Sequence, residues 1–318
     1  MNGFSISVVI PTRNPNLDRL REVLAALVVQ TLPHRYWEIC IVDNGSTSPL
    51  RLDDLKLGDF QIRIVREERA GLLWARICGL NHTASEYVVF IDDDTIPDVN
   101  FLAAGLAFMN GRPHVGTAGG KVLPRYLTAT PDWLAEFAWL LALRDNGPLP
   151  LEWSVSDNTV LPNWTPIGAG LLIRRVALVP GYIEHVDKHA GTIENLSWKG
   201  QGAGGVEDKD LVLYSLRAGW STGYTPDMVL THIIPEQRIQ LRYIEKLLPS
   251  VQTLWAQTLH AFRFESCPPI SPATLTLRKA KGWLAHRAWR SPANRLRWIQ
   301  SCGYLDGLAH NYRHNIRY

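Results

Sequence analysis

The feature that most constrains the fold of this sequence is a regular alternation of strand-like and helix-like segments in its first third. Short runs rich in β-branched and aromatic residues alternate with segments whose apolar residues recur every three to four positions. The predicted strands are 6–11, 37–43, 62–67 and 87–91, and the predicted helices are 17–29, 72–82 and 100–109. This order is typical of an α/β fold, a mostly parallel sheet with helices on both faces.

Length and composition support a large core and argue against an integral membrane protein. The 318 residues are 46% hydrophobic, yet no run of 18 apolar residues occurs. The chain enters its first strand almost at once, without a basic and apolar leader, so we expect a cytoplasmic protein. The four cysteines lack CxxC spacing, and neither a disulfide framework nor a zinc site is expected.

Three of the predicted strands end in polar residues. These ends are Pro11–Asn14, Asp43–Ser48 and Asp92–Asp98. In parallel sheets, ligands bind beyond the carboxyl ends of the strands. The sequence therefore predicts a nucleotide-sized site at this rim.

The third of these ends carries three consecutive carboxylates, Asp92, Asp93 and Asp94. They repel one another and lose hydration free energy when they are buried. One interpretation is a solvated turn that caps the next helix. The other is a divalent cation held by oxygen ligands and shared with a diphosphate.

Six segments of this sequence, in this order, resemble family 2 glycosyltransferases of the GT-A fold over residues 5–232. The segments are ISVVIPTRN, WEICIVDNGSTS, RAGLLWARICGLN, YVVFIDDDTIPD, GAGLLIRR and GVEDKDLVLYSLRAGW. The resemblance implies an inverting transfer of a sugar from a nucleotide-diphosphate donor, with a UDP- or dTDP-sugar favoured. It also implies a Mn²⁺ or Mg²⁺ cofactor and a glycan or lipid-linked glycan as acceptor.

The resemblance also implies which residues contact the nucleotide. Its base would lie between the first strand loop and Asp43, and Asp92 and Asp93 would contact the ribose and metal. The first strand loop consists of Pro11, Thr12, Arg13 and Asn14. Asp43 has an alternative role in an Asx turn. Arg76 would face the phosphates or, alternatively, be a solvated helical arginine; Ile77 follows it where the family commonly has Asn.

By the same resemblance, Asp92, Asp94 and His232 would hold the metal, and Arg238 would be a weaker phosphate contact. Imidazole is an acceptable ligand for manganese. The alternative for His232 is a structural histidine that follows a strand.

Asp208 is the predicted general base, with Glu207 orienting the acceptor, because the aspartate of this pair is usually the base in the family. Inversion needs a group that takes a proton from the attacking hydroxyl, and a carboxylate can do so. The alternative is that both acids only stabilise the helix that begins there, through a favourable interaction with its dipole. That helix is predicted to end at Gly219.

The C-terminal part differs in composition, which suggests two domains. Residues 1–265 would form the catalytic domain, with a nucleotide-binding half to about 120 and an acceptor half after it. A helix over 240–262 is predicted to be interrupted at Pro249. Residues 266–318 would form a helical extension.

From residue 275 onward, the extension carries nine Lys and Arg against one acid, about +8, with Trp283, Trp289 and Trp298 among them. It is either a solvated basic helix whose tryptophans pack on the domain or a segment that binds an anionic membrane surface at the inner face of the cell membrane. Nucleic acid is not expected as a partner, because no recognised nucleic-acid fold accompanies this charge.

Two other functions are compatible with this fold. A nucleotidyltransferase that makes activated sugars would need a Gly-rich basic loop after the first strand, where this chain has PTRNPN. A non-catalytic glycan-binding protein would not need the intact Asp92–Asp94 and Glu207–Asp208 groups.

Overall fold

The computed structural model describes residues 4–55, 62–155, 160–193, 205–264 and 267–318. In these residues a single sheet has the order β3-β2-β1-β4-β8-β6-β9-β5, and β7 pairs with β9. The strands are β1 (Ile6–Thr12), β2 (Trp37–Asp43), β3 (Ile62–Arg66), β4 (Tyr87–Phe90), β5 (Thr95–Pro97), β6 (Val115–Tyr126), β7 (Leu151–Trp153), β8 (Leu171–Arg174) and β9 (Ser221–Ile234).

Ten α-helices lie among the described residues. They are α1 (Leu17–Val28), α2 (Leu72–Asn81), α3 (Phe101–Asn110), α4 (Leu134–Phe137), α5 (Gly181–Lys188), α6 (Ala190–Ile193), α7 (Glu207–Arg217), α8 (Leu241–Ala261), α9 (Leu275–Ala285) and α10 (Pro292–His314). All seven elements predicted for the first third are confirmed within one or two residues. The α/β fold class is confirmed.

The first four strands form the parallel half of the sheet. β1 pairs in parallel with both β2 and β4, and β2 pairs in parallel with β3. β8 is antiparallel to β4 and to β6, so the sheet becomes mixed there. Because β1, β2 and β4 run in the same direction, their polar carboxyl ends meet at one edge.

Both faces of this sheet are covered by apolar side chains. Val8 and Ile10 of β1 pack into one core cluster together with side chains of α1 and α3. Val9, between them, packs into the opposite cluster with α2 and α7. This alternation explains why β1 is apolar at nearly every position, since a strand covered on both faces has no solvent side.

The predicted interruption at Pro249 is wrong, because α8 runs without a break from Leu241 to Ala261. Proline removes one backbone N–H and usually ends or kinks a helix. Here α10 packs along α8, and a Cβ placed on Gly303 would lie 2.6 Å from the Pro249 carbonyl oxygen. This close packing stabilises α8 on both sides of the proline.

The C-terminal helices pack on one another as well as on α8. Trp298 Nε1 donates to the Lys279 carbonyl oxygen at 2.9 Å, and the rings of Trp283 and Trp298 meet edge to face at 4.9 Å. The predicted boundary after residue 265 lies outside the described residues. Among the described helices, none is both long and apolar enough to cross a bilayer.

Candidate active site

A cavity of about 660 Å³ opens at the carboxyl ends of β1 and β4. The start of α7 and one face of α8 complete its walls. The cavity brings together every predicted site residue except Asp43. Those residues are Pro11, Thr12, Arg13, Asn14, Arg76, Asp92, Asp93, Asp94, Glu207, Asp208 and His232, joined by Arg238.

Asp43 lies beneath the rim instead of on the cavity wall. Its side chain is only 1% exposed and accepts hydrogen bonds from the backbone N–H groups of Ser46 and Leu50. Arg66 Nη1 lies 3.0 Å from its Oδ2. These donors and the arginine outweigh the effect of burial and lower the pKa of Asp43. In this structure its contacts are those of the turn that orders the end of β2.

The acidic triplet Asp92–Asp94 concentrates negative charge at the end of β4. Burial and the neighbouring charge of Asp94 raise the pKa of Asp93 to about 7, although the Thr12 hydroxyl donates to it. Burial also raises the pKa of Asp92. Burial opposes ionisation of Asp94 too, but His232 and Arg238 outweigh it and lower its pKa. Protein groups therefore compensate one carboxylate of the triplet better than the other two.

His232 lies beside this triplet, in a strand pairing of β9 with β5. Its Nδ1 is 2.9 Å from the Leu141 carbonyl oxygen, so that nitrogen carries the proton and donates it. The other nitrogen, Nε2, faces Asp94 Oδ1 at 3.4 Å and Arg238 Nη1 at 3.0 Å. A carbonyl that orients one imidazole nitrogen in this way is the usual support of a metal-binding histidine.

The donor set fits a hard divalent cation in its chemistry. The carboxylates of Asp92 and Asp94 suit Mn²⁺ or Mg²⁺, and the imidazole of His232 is an acceptable ligand for Mn²⁺. Within the described residues, no group of three His, Cys, Asp or Glu side chains is already arranged around one metal position. Because such cations are often bound by one or two carboxylates together with substrate phosphates, the protein need supply only part of the coordination.

Arg76 and Glu207 form a buried ion pair in the same cavity, and the Arg76 guanidinium lies over the ring of Phe90 in β4. Arg76 Nη1 donates to Glu207 Oε1 at 3.1 Å, and the two side chains are 4% and 5% exposed. Arg76 is thus not the solvated helical arginine of the alternative interpretation. Gly168 lies against the guanidinium, since a Cβ there would come within 2.2 Å of Arg76 Nη2.

Asp208 is held at both of its oxygens. Oδ2 accepts the Gly168 backbone N–H at 2.7 Å, and Oδ1 accepts the Lys209 backbone N–H at 2.9 Å. The residue lies in the first turn of α7, where the helix dipole favours negative charge. Hydrogen bonds to the charged form keep a carboxylate ionised. The predicted end of α7 at Gly219 is confirmed, with φ at +91°.

Two features in or beside this cavity were not predicted from the sequence. Lys209 reads as a solvated lysine between acids, but its ammonium is directed into the protein against Thr165 and Pro166. Tyr243, Leu247 and Val251 of α8 form an apolar strip on the cavity wall. Their spacing of four residues puts them on one helix face, and this signal was available in the sequence.

Residues 7–160 match the family described as Glycosyl transferase family 2. An N-acetylglucosaminyltransferase from Azorhizobium caulinodans is 23% identical over 271 residues, which cover 82% of this chain and 62% of that protein. This chain therefore spans less than two thirds of that relative's length.

Solved structures share the fold at low sequence identity. S. aureus TarS 1–349 in complex with UDP-GlcNAc has a TM-score of 0.53 at 14% identity, covering 99% of this chain and 93% of that one. GalNAc-T7 with UDP, GalNAc and Mn²⁺ has a TM-score of 0.53 at 15% identity, covering 99% and 57%. These likenesses place the described residues in the GT-A fold.

Proposed function

We propose that this chain, whose residues 7–160 match glycosyltransferase family 2, transfers a sugar from a nucleotide-diphosphate sugar to a glycan or lipid-linked glycan. The observation that carries the proposal is the single cavity between two acidic groups. Asp92–Asp94 lie on one wall and Glu207–Asp208 on another. Such an arrangement suits a reaction that holds a charged leaving group at one side and removes a proton at the other.

The donor nucleotide would lie along the strand ends. Thr12, Arg13 and Asn14 line the cavity at the end of β1, next to Asn44 at the end of β2. Asp43 would contribute through the turn that it orders. Arg76 and Arg238, on separate walls, would attract the diphosphate.

The metal would be held by Asp92, Asp94 and Nε2 of His232. When bound, Mn²⁺ or Mg²⁺ would supply positive charge to the leaving diphosphate. A cation would add positive charge beside Asp92 and Asp93, whose charged forms burial disfavours. The Mn²⁺ that accompanies UDP in the GalNAc-T7 structure supports this choice of cofactor.

Asp208 would act as the general base. Backbone N–H groups of Gly168 and Lys209 donate to its two oxygens, which fixes the orientation of the carboxylate at the cavity. It would take the proton of the acceptor hydroxyl while the diphosphate leaves from the opposite face of the anomeric carbon, which inverts the configuration. Glu207, oriented by Arg76, would help to position the acceptor.

UDP-GlcNAc is the first donor to test, because TarS was crystallised with it and the Azorhizobium relative is named for N-acetylglucosaminyl transfer. We would screen UDP-, dTDP- and GDP-sugars by calorimetry, then measure nucleotide release with and without Mn²⁺. Metal-dependent release of the nucleoside diphosphate supports the proposal. Binding without release would indicate a glycan-binding protein, and pyrophosphate release from a nucleoside triphosphate and a sugar phosphate would indicate a nucleotidyltransferase.

The extension 266–318 would bring this activity to an anionic membrane surface. Leu277, Leu284 and Trp289 are 75%, 65% and 57% exposed. Lys281 and Arg287 are exposed in the same segment. Apolar and basic side chains act together at a lipid headgroup layer.

Because α10 packs on α8, this idea is best tested by surface substitution, not truncation. Leu284→Glu with Trp289→Glu should abolish sedimentation with phosphatidylglycerol vesicles and leave donor binding unchanged. Leu149→Glu, at another exposed leucine, is the matched control. Equal sedimentation of all three proteins would contradict the membrane proposal.

A further inference from the structure

Lys209 makes an unusual set of contacts for a lysine in the first turn of a helix. Its Nζ lies 2.9 Å from the Thr165 carbonyl oxygen, 3.0 Å from Thr165 Oγ1 and 2.8 Å from the Pro166 carbonyl oxygen. An ammonium group has three protons, so all three of its donors have acceptors. The side chain therefore ties α7 to the segment 165–168.

That segment in turn contacts Asp208. Gly168, two residues after Pro166, donates its N–H to Asp208 Oδ2 at 2.7 Å. On its other side Gly168 abuts the guanidinium of Arg76, which pairs with Glu207. The segment 165–168 thus contacts Asp208 directly and Glu207 through Arg76, so a shift of it would disturb the contacts of both carboxylates.

We propose that Lys209 is a positioning residue for sugar transfer, because its ammonium holds the segment 165–168 in the place from which Gly168 orients the carboxylate of Asp208. This inference rests on the proposed role of Asp208 as the base. Lys209 itself does not contact the reacting atoms. It acts through two backbone carbonyls, one hydroxyl and the Gly168 N–H.

The low-dielectric surroundings of Lys209 oppose the charge of its ammonium, and the three acceptors compensate for this cost. Loss of hydration lowers the pKa of Lys209 to about 7, opposed by Asp208 and assisted by Arg144. Arg144 approaches from the segment before β7, and its Nη1 donates to the Trp139 and Leu143 carbonyl oxygens. An exposed lysine would cost less to keep charged, so this placement needs the three acceptors to be stable.

The test compares Lys209→Met with Lys246→Met, which removes an exposed lysine of α8. In Lys209→Met we expect kcat of transfer to fall about 10-fold or more, because small displacements of a catalytic group are costly. The donor KM should change less than kcat, since most of the proposed nucleotide contacts lie at the ends of β1 and β4. The acid limb of the pH–rate profile should move to higher pH, because a carboxylate that loses a donated N–H binds a proton more readily.

A second readout is independent of activity. In protein labelled with ¹⁵N-glycine, the Gly168 amide resonance is assigned by its change in Asp208→Asn. Its chemical shift should follow the protonation of the Asp208 carboxylate as the pH is varied. In Lys209→Met its proton resonance should move upfield as the hydrogen bond weakens. If this shift occurs but the wild type transfers no sugar, the proposed function fails and the positioning contact stands.

Two outcomes would overturn the inference. One is a folded Lys209→Met variant with wild-type kcat, acid limb and Gly168 resonance. Should that variant fail to fold, the test passes to Thr165→Val, which removes one of the three acceptors. A smaller change in the same direction supports the inference, and an unchanged acid limb and Gly168 resonance in Thr165→Val contradict it.

Discussion

The two acidic groups of the cavity differ in what neutralises them. At the end of β4, burial raises the pKa of Asp92 and Asp93, and only at Asp94 do the neighbouring His232 and Arg238 outweigh burial and lower the pKa. At the start of α7, by contrast, Glu207 pairs with Arg76 and both oxygens of Asp208 accept backbone N–H groups. The first group has negative charge to share with a ligand, whereas the protein already holds the second in place.

This difference separates two kinds of catalytic contribution. A carboxylate that the fold leaves poorly compensated suits a cation that arrives with its substrate. A carboxylate whose oxygens already have donors suits proton transfer, which depends on position. Substitutions in the two groups should therefore affect different steps.

The largest effect is expected at the acidic triplet Asp92–Asp94 at the end of β4, here called the strand-end group. Asp94→Ala should abolish the Mn²⁺-dependent part of UDP binding, because the metal would lose an anion that faces the diphosphate. Calorimetric titration of UDP with and without Mn²⁺ measures this. Asp227→Ala, at an exposed aspartate of β9, is the control and should behave as wild type. An Asp94→Ala protein that binds UDP normally in Mn²⁺ would remove the metal from this group.

The next largest effect is expected for Glu207 and Asp208 at the start of α7, here called the helix-start group. It should fall on the transfer step and not on donor binding. Asp208→Asn should retain UDP and Mn²⁺ binding but lose transfer by about 10²-fold or more, the usual scale for a positioned general base. Steady-state rates at saturating donor test this, with exposed Asp132→Asn as control. Near-normal turnover would place the base elsewhere, and Glu207→Gln would then be the variant to measure.

The smallest effect should come from a residue that supports the strand-end group from outside it. Arg238 Nη1 lies 3.0 Å from His232 Nε2 and 3.5 Å from Asp94 Oδ2. Arg238→Ala should weaken UDP binding in Mn²⁺ about 10-fold, or about 1.4 kcal/mol, through loss of a cation near the diphosphate. Exposed Arg242→Ala is the matched control. Unchanged UDP affinity would limit Arg238 to orienting His232.

Local sequence pattern was sufficient to predict the order of strands and helices and the edge of the sheet where the polar strand ends meet. Continuous apolar runs predicted β1, β2 and β4, and apolar periodicity predicted the helices, because burial on two faces or on one leaves these two patterns in the sequence. It failed at Pro249, where the helix continues against Gly303, a residue more than fifty positions away. Local propensity cannot report packing against a distant helix.

The order of residues along the chain was enough to predict that acidic, amide and hydroxyl side chains meet at one edge of a parallel sheet, because parallel strands bring their carboxyl ends together. The hydrogen-bond or ion-pair partner of each side chain became evident only from the folded structure. Arg76 and Glu207 are 131 positions apart, and Gly168 and Asp208 are 40 apart. Hydrogen bonds form only within a few tenths of an ångström of their ideal length. That precision comes from the packing of the whole chain, and the periodicity of the sequence does not specify it.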